Sequence, residues 1–314
     1  EITEFTDIPQ RFIAPHDSAL SEAFYLLLEE NITALNEGMN SNLTTRIKIQ
    51  DLCAYYAEQS AFIKAIALCQ PIAQSSEDYL QLAKWAIAAG DASLALAFVQ
   101  QTQAADTYQK LTTECLALEV QIARLDNDPA GAIQLQWQTY THSLLLDDFI
   151  QLNVLIANTD KAKWQAKAIA FWDELLATAP TQRAEPYRLV TAEPLVELCL
   201  YLGLIERAVA LVQEYPTDRE VLYQVATMSV KYAPEHTFEL YRRLILIWIK
   251  SAKSTDYKTI INLLLELQSL ISQLPMPSPQ NNAEQALDFF INEIAYEFSQ
   301  KRQLQSMIKR HFVV

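Results

Sequence analysis

Tyr241, Arg242, Arg243 and Trp248 are the residues of this chain whose types and spacing best suit holding another molecule. Two adjacent guanidinium groups on one helix can clamp a carboxylate or phosphate bidentately. Tyr and Trp beside them add rigid contact area of the kind that dominates protein interfaces. The same stretch also reads as a bridge between helices. Tyr241, Leu244 and Trp248 are spaced i, i+3 and i+7, which is one face of a helix. The binding reading requires both guanidinium groups to be exposed on a concave face. These four residues form the candidate partner-binding cluster.

Other side chains that could do chemistry are isolated. His236 lies between Glu235 and Glu239, but one histidine at a helix start reads as a capping or surface residue. Cys199 beside Tyr201 has no neighbour in sequence that would lower its pKa. The carboxylate pairs Glu29-Glu30, Asp147-Asp148 and Asp173-Glu174 sit on helical stretches. Adjacent helix positions diverge by about 100°, so such pairs do not converge for acid–base work. Phosphate-loop, dinucleotide, nucleophile-elbow and zinc-protease motifs are missing from the sequence. Cys53, Cys69, Cys115 and Cys199 match no zinc or disulfide spacing and read as reduced core thiols of a cytoplasmic protein. The expectation is a non-enzyme with no catalytic residue, no cofactor and no metal.

The elements that would position the cluster are helices. Glycine occurs only 4 times in 314 residues, while helix-forming Ala, Leu, Gln, Glu and Ile abound. Leu82–Val99 and Leu195–Val212 align without gaps, pairing Gly90 with Gly203, Ala95 with Ala208 and Ala97 with Ala210. Leu52–Cys69 falls into the same frame, with Ser60 at the turn and Ala65 and Ala67 after it. Repetition of this kind marks stacked helical hairpins. Turns are expected at Ser60, Gly90, Asn127, Lys163, Gly203 and Ala233, separated by 30, 37, 36, 40 and 30 residues. A small residue follows five positions later (Ala65, Ala95, Ala132, Ala168, Ala208), where the second helix approaches the first. Phe238 takes that place in the sixth hairpin, so a different contact is expected there. The fold class is therefore all-α, in stacked antiparallel hairpins.

Gly90-Asp91 followed by Ala95 resembles the turn of the tetratricopeptide family, whose repeat is about 34 residues long. Ala83 and Val196 stand where that family has a glycine inside its first helix, and its closing proline is mostly missing. The resemblance is to a degenerate form and implies an α-solenoid.

Residues 1–17 read as a linker or extended lead-in, and a first helix is expected over Ala19–Glu37. Prolines at 180, 186 and 194 bracket an irregular loop, and Pro275–Asn282 is a turn-rich break. A soft boundary is expected near residue 180, giving hairpins over 18–180 and over 181–314. The chain opens on Glu1 rather than Met, and the expectation is a fragment of a longer protein.

A second resemblance begins near residue 195. Gly203–Ala208, Ala233-Pro234-Glu235 and Leu240-Tyr241-Arg242-Arg243-Leu244 come in that order. Tyr257, Leu263–Leu265, Phe289-Phe290 and Lys301-Arg302-Gln303-Leu304 follow. This order resembles the helical C-terminal region of bacterial SWIM zinc-finger proteins. The metal motif of that family, CxC followed by CxH, is missing from this sequence. The resemblance implies the repeat arm of a DNA-associated protein, without the residues that would engage DNA.

Net charge is −14. That argues against direct nucleic-acid binding by this segment and against anionic membrane surfaces. Lys301, Arg302, Lys309, Arg310 and His311 stand out against the acidic background. Cations at the end of a last helix complement its dipole, and an acidic-partner contact is the other reading. No apolar run reaches the length of a membrane span. The expected partner is a protein or peptide, bound by a scaffold. An affinity pull-down is the measurement that names it.

Overall fold

The computed structural model describes residues 43–178, 191–270 and 283–312. The lead-in, the helix expected over Ala19–Glu37, the boundary near residue 180 and the break at Pro275–Asn282 lie outside the described residues. Among the described residues there are fifteen α-helices and no strand. Among the described residues no helix is long and apolar enough to cross a membrane.

The chain divides into two compact units, one ending at Ile156 and the other beginning at Ala157. The first holds α1 (Leu43–Glu58), α2 (Phe62–Cys69), a 3-10 turn (Gln70–Ile72), α3 (Ser76–Ala88) and α4 (Ala92–Ala105), then α5 (Thr112–Leu125), α6 (Pro129–Ser143) and α7 (Leu146–Leu155). The second holds α8 (Lys161–Thr178), α9 (Glu193–Tyr201), α10 (Ile205–Glu214), α11 (Arg219–Tyr232) and α12 (Pro234–Ser251). A 3-10 turn (Ser254–Asp256), α13 (Tyr257–Leu270), α14 (Ala283–Glu297) and α15 (Arg302–His311) complete it.

Four hairpins share one turn. Ser60, Gly90, Asn127 and Gly203 all have φ between +56° and +79°. Each is closed by the same two backbone bonds. At Gly90 they run from Gly90 N to Ile87 O (2.9 Å) and from Asp91 N to Ala86 O (2.9 Å). Gly203 N to Leu200 O (3.1 Å) and Leu204 N to Cys199 O (2.8 Å) repeat them. This double closure satisfies carbonyls that a helix end leaves open, and it requires a left-handed residue. The residue after the turn is the N-cap of the next helix. Asp91 and Asp128 do this with their side chains, accepting from Leu94 N and Gly131 N at 2.9 Å. Replacing Asp91 with Ala is expected to cost about 1 kcal/mol, read as a lower denaturation midpoint at unchanged m-value.

Four residues into each of these second helices comes the alanine. Ala65, Ala95, Ala132 and Ala208 are at most 1% exposed. In the sixth hairpin Ala233 is itself the N-cap, and α12 starts directly at Pro234. The fourth helical position is then Thr237, fully buried, with Oγ1 2.9 Å from Ser229 Oγ on α11. Phe238 is only half-buried. The contact differs there because the joint is shorter.

The turn expected at Lys163 is corrected. Lys163 lies inside α8, whose first turn is anchored by Trp164 N on Asp160 O at 3.2 Å. The chain turns instead over Ala157–Asp160. Gln109 (φ 53°) and Leu144 (φ 62°) are left-handed joints between hairpins that the repeat pattern does not mark.

Within the first unit, α1 packs on α2, α3 on α4 and α5 on α6, and each helix also meets the next in sequence. Beyond these neighbours, α3 touches α5, and in the second unit α9 touches α11. One core runs through Ile66, Leu82, Ala86, Phe98, Val99 and Leu118. A second, beneath α1 and α2, is built from Ile49, Leu52, Cys53, Tyr56 and Ala65. Trp85 packs against both.

Candidate functional site

The cluster on α12 is engaged inside its own unit. Tyr241 is fully buried, and its hydroxyl donates to Glu266 Oε1 on α13 at 2.7 Å. Burial, then the Glu266 hydrogen bond, pushes this phenol well above the usual tyrosine range. Arg242 donates to both carboxylate oxygens of Glu293 on α14, at 3.0 and 3.1 Å. Burial alone would lower its guanidinium, but the bonds and charge of Glu293 and Glu239 outweigh that and hold it higher. Arg243 donates to Val212 O and, at 3.3 Å, to Tyr215 O. These carbonyls close the C-terminal end of α10, where cations are favoured. Trp248 is half-buried, with the Arg219 guanidinium 4.0 Å above its ring. One helix thus ties α10, α11, α13 and α14 together through four consecutive or near-consecutive side chains.

An open site of the first unit lies elsewhere. A groove of about 450 Å³ runs between α1 and α3 over the end of α2. Gln50, Ala54, Ala57 and Glu58, spaced i, i+4, i+7 and i+8, face it from α1. From α3 come Asp78, Gln81, Leu82 and Trp85. Cys69, Ile72 and Ala73 close its floor. Ala54 is exposed on the side of α1 away from the Leu52-Cys53-Tyr56 core stripe, Ala57 lies at the edge of that core, and their small size leaves Trp85 reachable.

Asp78 is held by local structure. Its Oδ2 accepts from Gln74 N and Ser75 N at 3.0 Å, and Ser75 Oγ accepts from Asp78 N at 3.2 Å. This reciprocal capping box fixes the start of α3 and with it the direction of the carboxylate. Oδ1 stays on the groove side, 3.5 Å from Gln50 Nε2. The groove lining includes two carboxylates, Glu58 and Asp78, and no Lys, Arg or His. An apolar floor with an indole and an anionic rim suits an apolar segment that carries a cation.

No known family model matches the chain, and no curated protein does.

Trp137, Tyr140 and Trp172 are core residues, at most 8% exposed. Trp164 is half-buried under the Lys167 ammonium, 4.2 Å from the ring centroid. His236 Nδ1 lies 3.4 Å from Gln213 Nε2, and its Nε2 lies 3.7 Å from Glu235. Asp173 is ion-paired with Arg207 of α10. Burial lifts the Cys115 and Cys199 thiols to about 11, so both stay protonated at neutral pH and are poor nucleophiles. Cys69 is half-buried: it packs against the core under α1 and α2 and also forms part of the groove wall. Among the described residues no three His, Cys, Asp or Glu side chains are placed to hold a metal ion.

The sequence does not single out the groove. Its one signal is the pair of small residues, Ala54 and Ala57, between Gln50 and Glu58 on α1.

Proposed function

We propose that this chain is a non-enzymatic scaffold of tetratricopeptide-like hairpins, and that it binds a protein partner through the groove between α1 and α3. In a stacked array the first helices of successive hairpins line the inner face, and α1 and α3 hold those positions. The observation that carries the reading is the lining itself: Trp85 and Ile72 as apolar contacts, with Glu58 and Asp78 as the charged ones. The partner segment that fits presents an apolar side chain next to Lys or Arg. Large rigid side chains on such segments supply most of the affinity, and the charge pairs supply orientation.

Ala54→Trp fills the groove from an exposed position. Its effect on stability is expected to stay within about 0.5 kcal/mol, as for other surface substitutions. In a pull-down from the host, the wild-type chain should retain one stoichiometric protein, and Ala54→Trp should retain it at least about tenfold less well, or about 1.4 kcal/mol. Equal retention by both chains would move the partner off the groove. A wild-type chain that retains nothing specific would remove the scaffold reading. Nuclease-sensitive material would favour the second reading, the repeat arm of a DNA-associated protein. The feature behind that alternative is the order of sequence features from Gly203 to Leu304, within which Tyr241, Arg242 and Arg243 tie α12 to α13, α14 and α10.

A further inference from the structure

The floor of the groove carries one thiol, Cys69, and a second, Cys53, lies in the core that Cys69 packs against. Cys53 is fully buried in the core under α1 and α2. Cys69, at the last turn of α2, packs against that same core and also forms part of the groove wall. The two side chains are hydrogen-bonded to each other. The structure pairs them across the first hairpin, joined by the Ser60 turn, and neither is in a disulfide. Cys115 and Cys199, the other two cysteines, are buried in other helices.

We propose that Cys69 is a hydroperoxide-oxidation site and that Cys53 resolves it, locking α1 to α2 beneath the groove. The two positions differ in the ways this requires. Cys69 is reachable from the groove, whereas Cys53 is 0% exposed and meets no solute directly. The hydrogen bond to Cys69, then burial, raises the Cys53 thiol far above the usual range. Cys53 therefore stays a thiol that does not compete with Cys69 for peroxide, and it reacts only with the sulfenic sulfur held beside it.

The chemistry balances in two steps. Cys69 thiolate attacks one oxygen of hydrogen peroxide, and the O–O bond breaks. The departing hydroxide takes up the proton released by Cys69, giving water and a sulfenic acid. Cys53 sulfur then attacks Cys69 Sγ, the S–O bond breaks, and hydroxide leaves with the Cys53 proton as a second water. Two thiols and one peroxide become one disulfide and two waters, a two-electron oxidation.

Cys69 directly precedes the 3-10 turn that brings Ile72 to the groove. Drawing Cys69 Sγ toward Cys53 therefore changes the wall that a partner would touch. The oxidation itself does not depend on what occupies the groove; only its effect on binding rests on the scaffold reading.

The experiment is peptide mapping of the full chain after hydrogen peroxide, with free thiols alkylated in denaturant before trypsin. Lys64 lies between the two cysteines, so trypsin separates them unless a disulfide joins them. The expected result is a linked pair containing Cys53 and Cys69, two hydrogens lighter than the reduced peptides, with Cys115 and Cys199 alkylated. In Cys53→Ser, Cys69 should accumulate as a sulfenic acid that dimedone traps. In Cys69→Ser, Cys53 should remain alkylatable. The proposal is overturned if wild type stays fully alkylatable at peroxide levels that oxidise free cysteine. It is also overturned if Cys53 oxidises as fast in Cys69→Ser as in wild type. Both serine variants must first show the wild-type helical spectrum and melting temperature. If one does not, partial peroxide titration of the wild-type chain, with dimedone, decides which thiol reacts first.

Discussion

Replacing Tyr241 with Ala is expected to destabilise the protein by about 3–5 kcal/mol, the range for removing a large buried aromatic side chain. Tyr241 is 0% exposed, so the ring leaves a cavity among α11, α12 and α13. Tyr241→Phe separates the ring from its hydroxyl. It removes the 2.7 Å bond to Glu266, at about 1.5–3 kcal/mol for a hydrogen bond to a charged group, together with the weaker contact of the hydroxyl with Thr227. The two variants should therefore differ by the contribution of the ring. A further mark distinguishes the phenol. Its folded-state pKa is raised, so the neutral form is the one the fold favours. The stability it contributes is complete below the unfolded value of about 10, and it is lost as pH rises through the folded value. The gap between wild type and Tyr241→Phe should be constant below pH about 10 and should narrow above it. Urea midpoints at neutral and alkaline pH measure this. A gap that stays flat through the alkaline range would mean that the phenol is not held as a buried neutral donor.

The turns most legible in the sequence are the ones whose backbone restricts residue choice. Gly90, Gly203 and Asn127 occupy left-handed positions that most side chains resist, and two backbone bonds close each of them. Lys163 fails for a reason visible in the chain. Ala168 is fully buried and imitates the repeated alanine, but it lies eight residues after Asp160 instead of four after an N-cap. Matching its spacing outweighed Asn158-Thr159-Asp160, which carries ordinary turn chemistry. Gln109 and Leu144 leave no trace because nothing in their side chains favours φ above zero. Their conformations come from the helices on either side.

The two sites are legible to different degrees. Tyr241, Arg242 and Arg243 are conspicuous because their chemistry is, yet each finds a partner 25 or more residues away that no local pattern announces. The α1–α3 groove has the opposite character. It joins helices that are not adjacent in sequence, and alanines open it. Absence of bulk is not a motif. Trp85 could have been singled out only by knowing that Ala54 and Ala57 stand across from it. The Cys53–Cys69 contact is hidden in the same way, because a 16-residue spacing means nothing until the Ser60 turn folds α2 back onto α1.

The repeated Ala-x-Ala predicts its own asymmetry. Ala65, Ala95 and Ala208 are 0% exposed, whereas Ala67, Ala97 and Ala210, two residues later, face outward. Two positions along a helix turn by about 200°, so only the first alanine of each pair can meet the preceding helix. Ala95→Leu forces extra methylenes between α3 and α4 and is expected to cost about 1–3 kcal/mol. Ala97→Leu enlarges a solvated surface and should stay within about 0.5 kcal/mol. Both substitutions add the same atoms to the same helix and keep a strong helix former, so propensity cancels between them. The difference between their denaturation midpoints then reports the close approach alone. Ala208→Leu against Ala210→Leu repeats the comparison in the second unit. Equal midpoints within each pair would place the tight helix contact somewhere other than the fourth residue after the N-cap. The shared turn would then set the direction of each second helix without fixing its distance from the first.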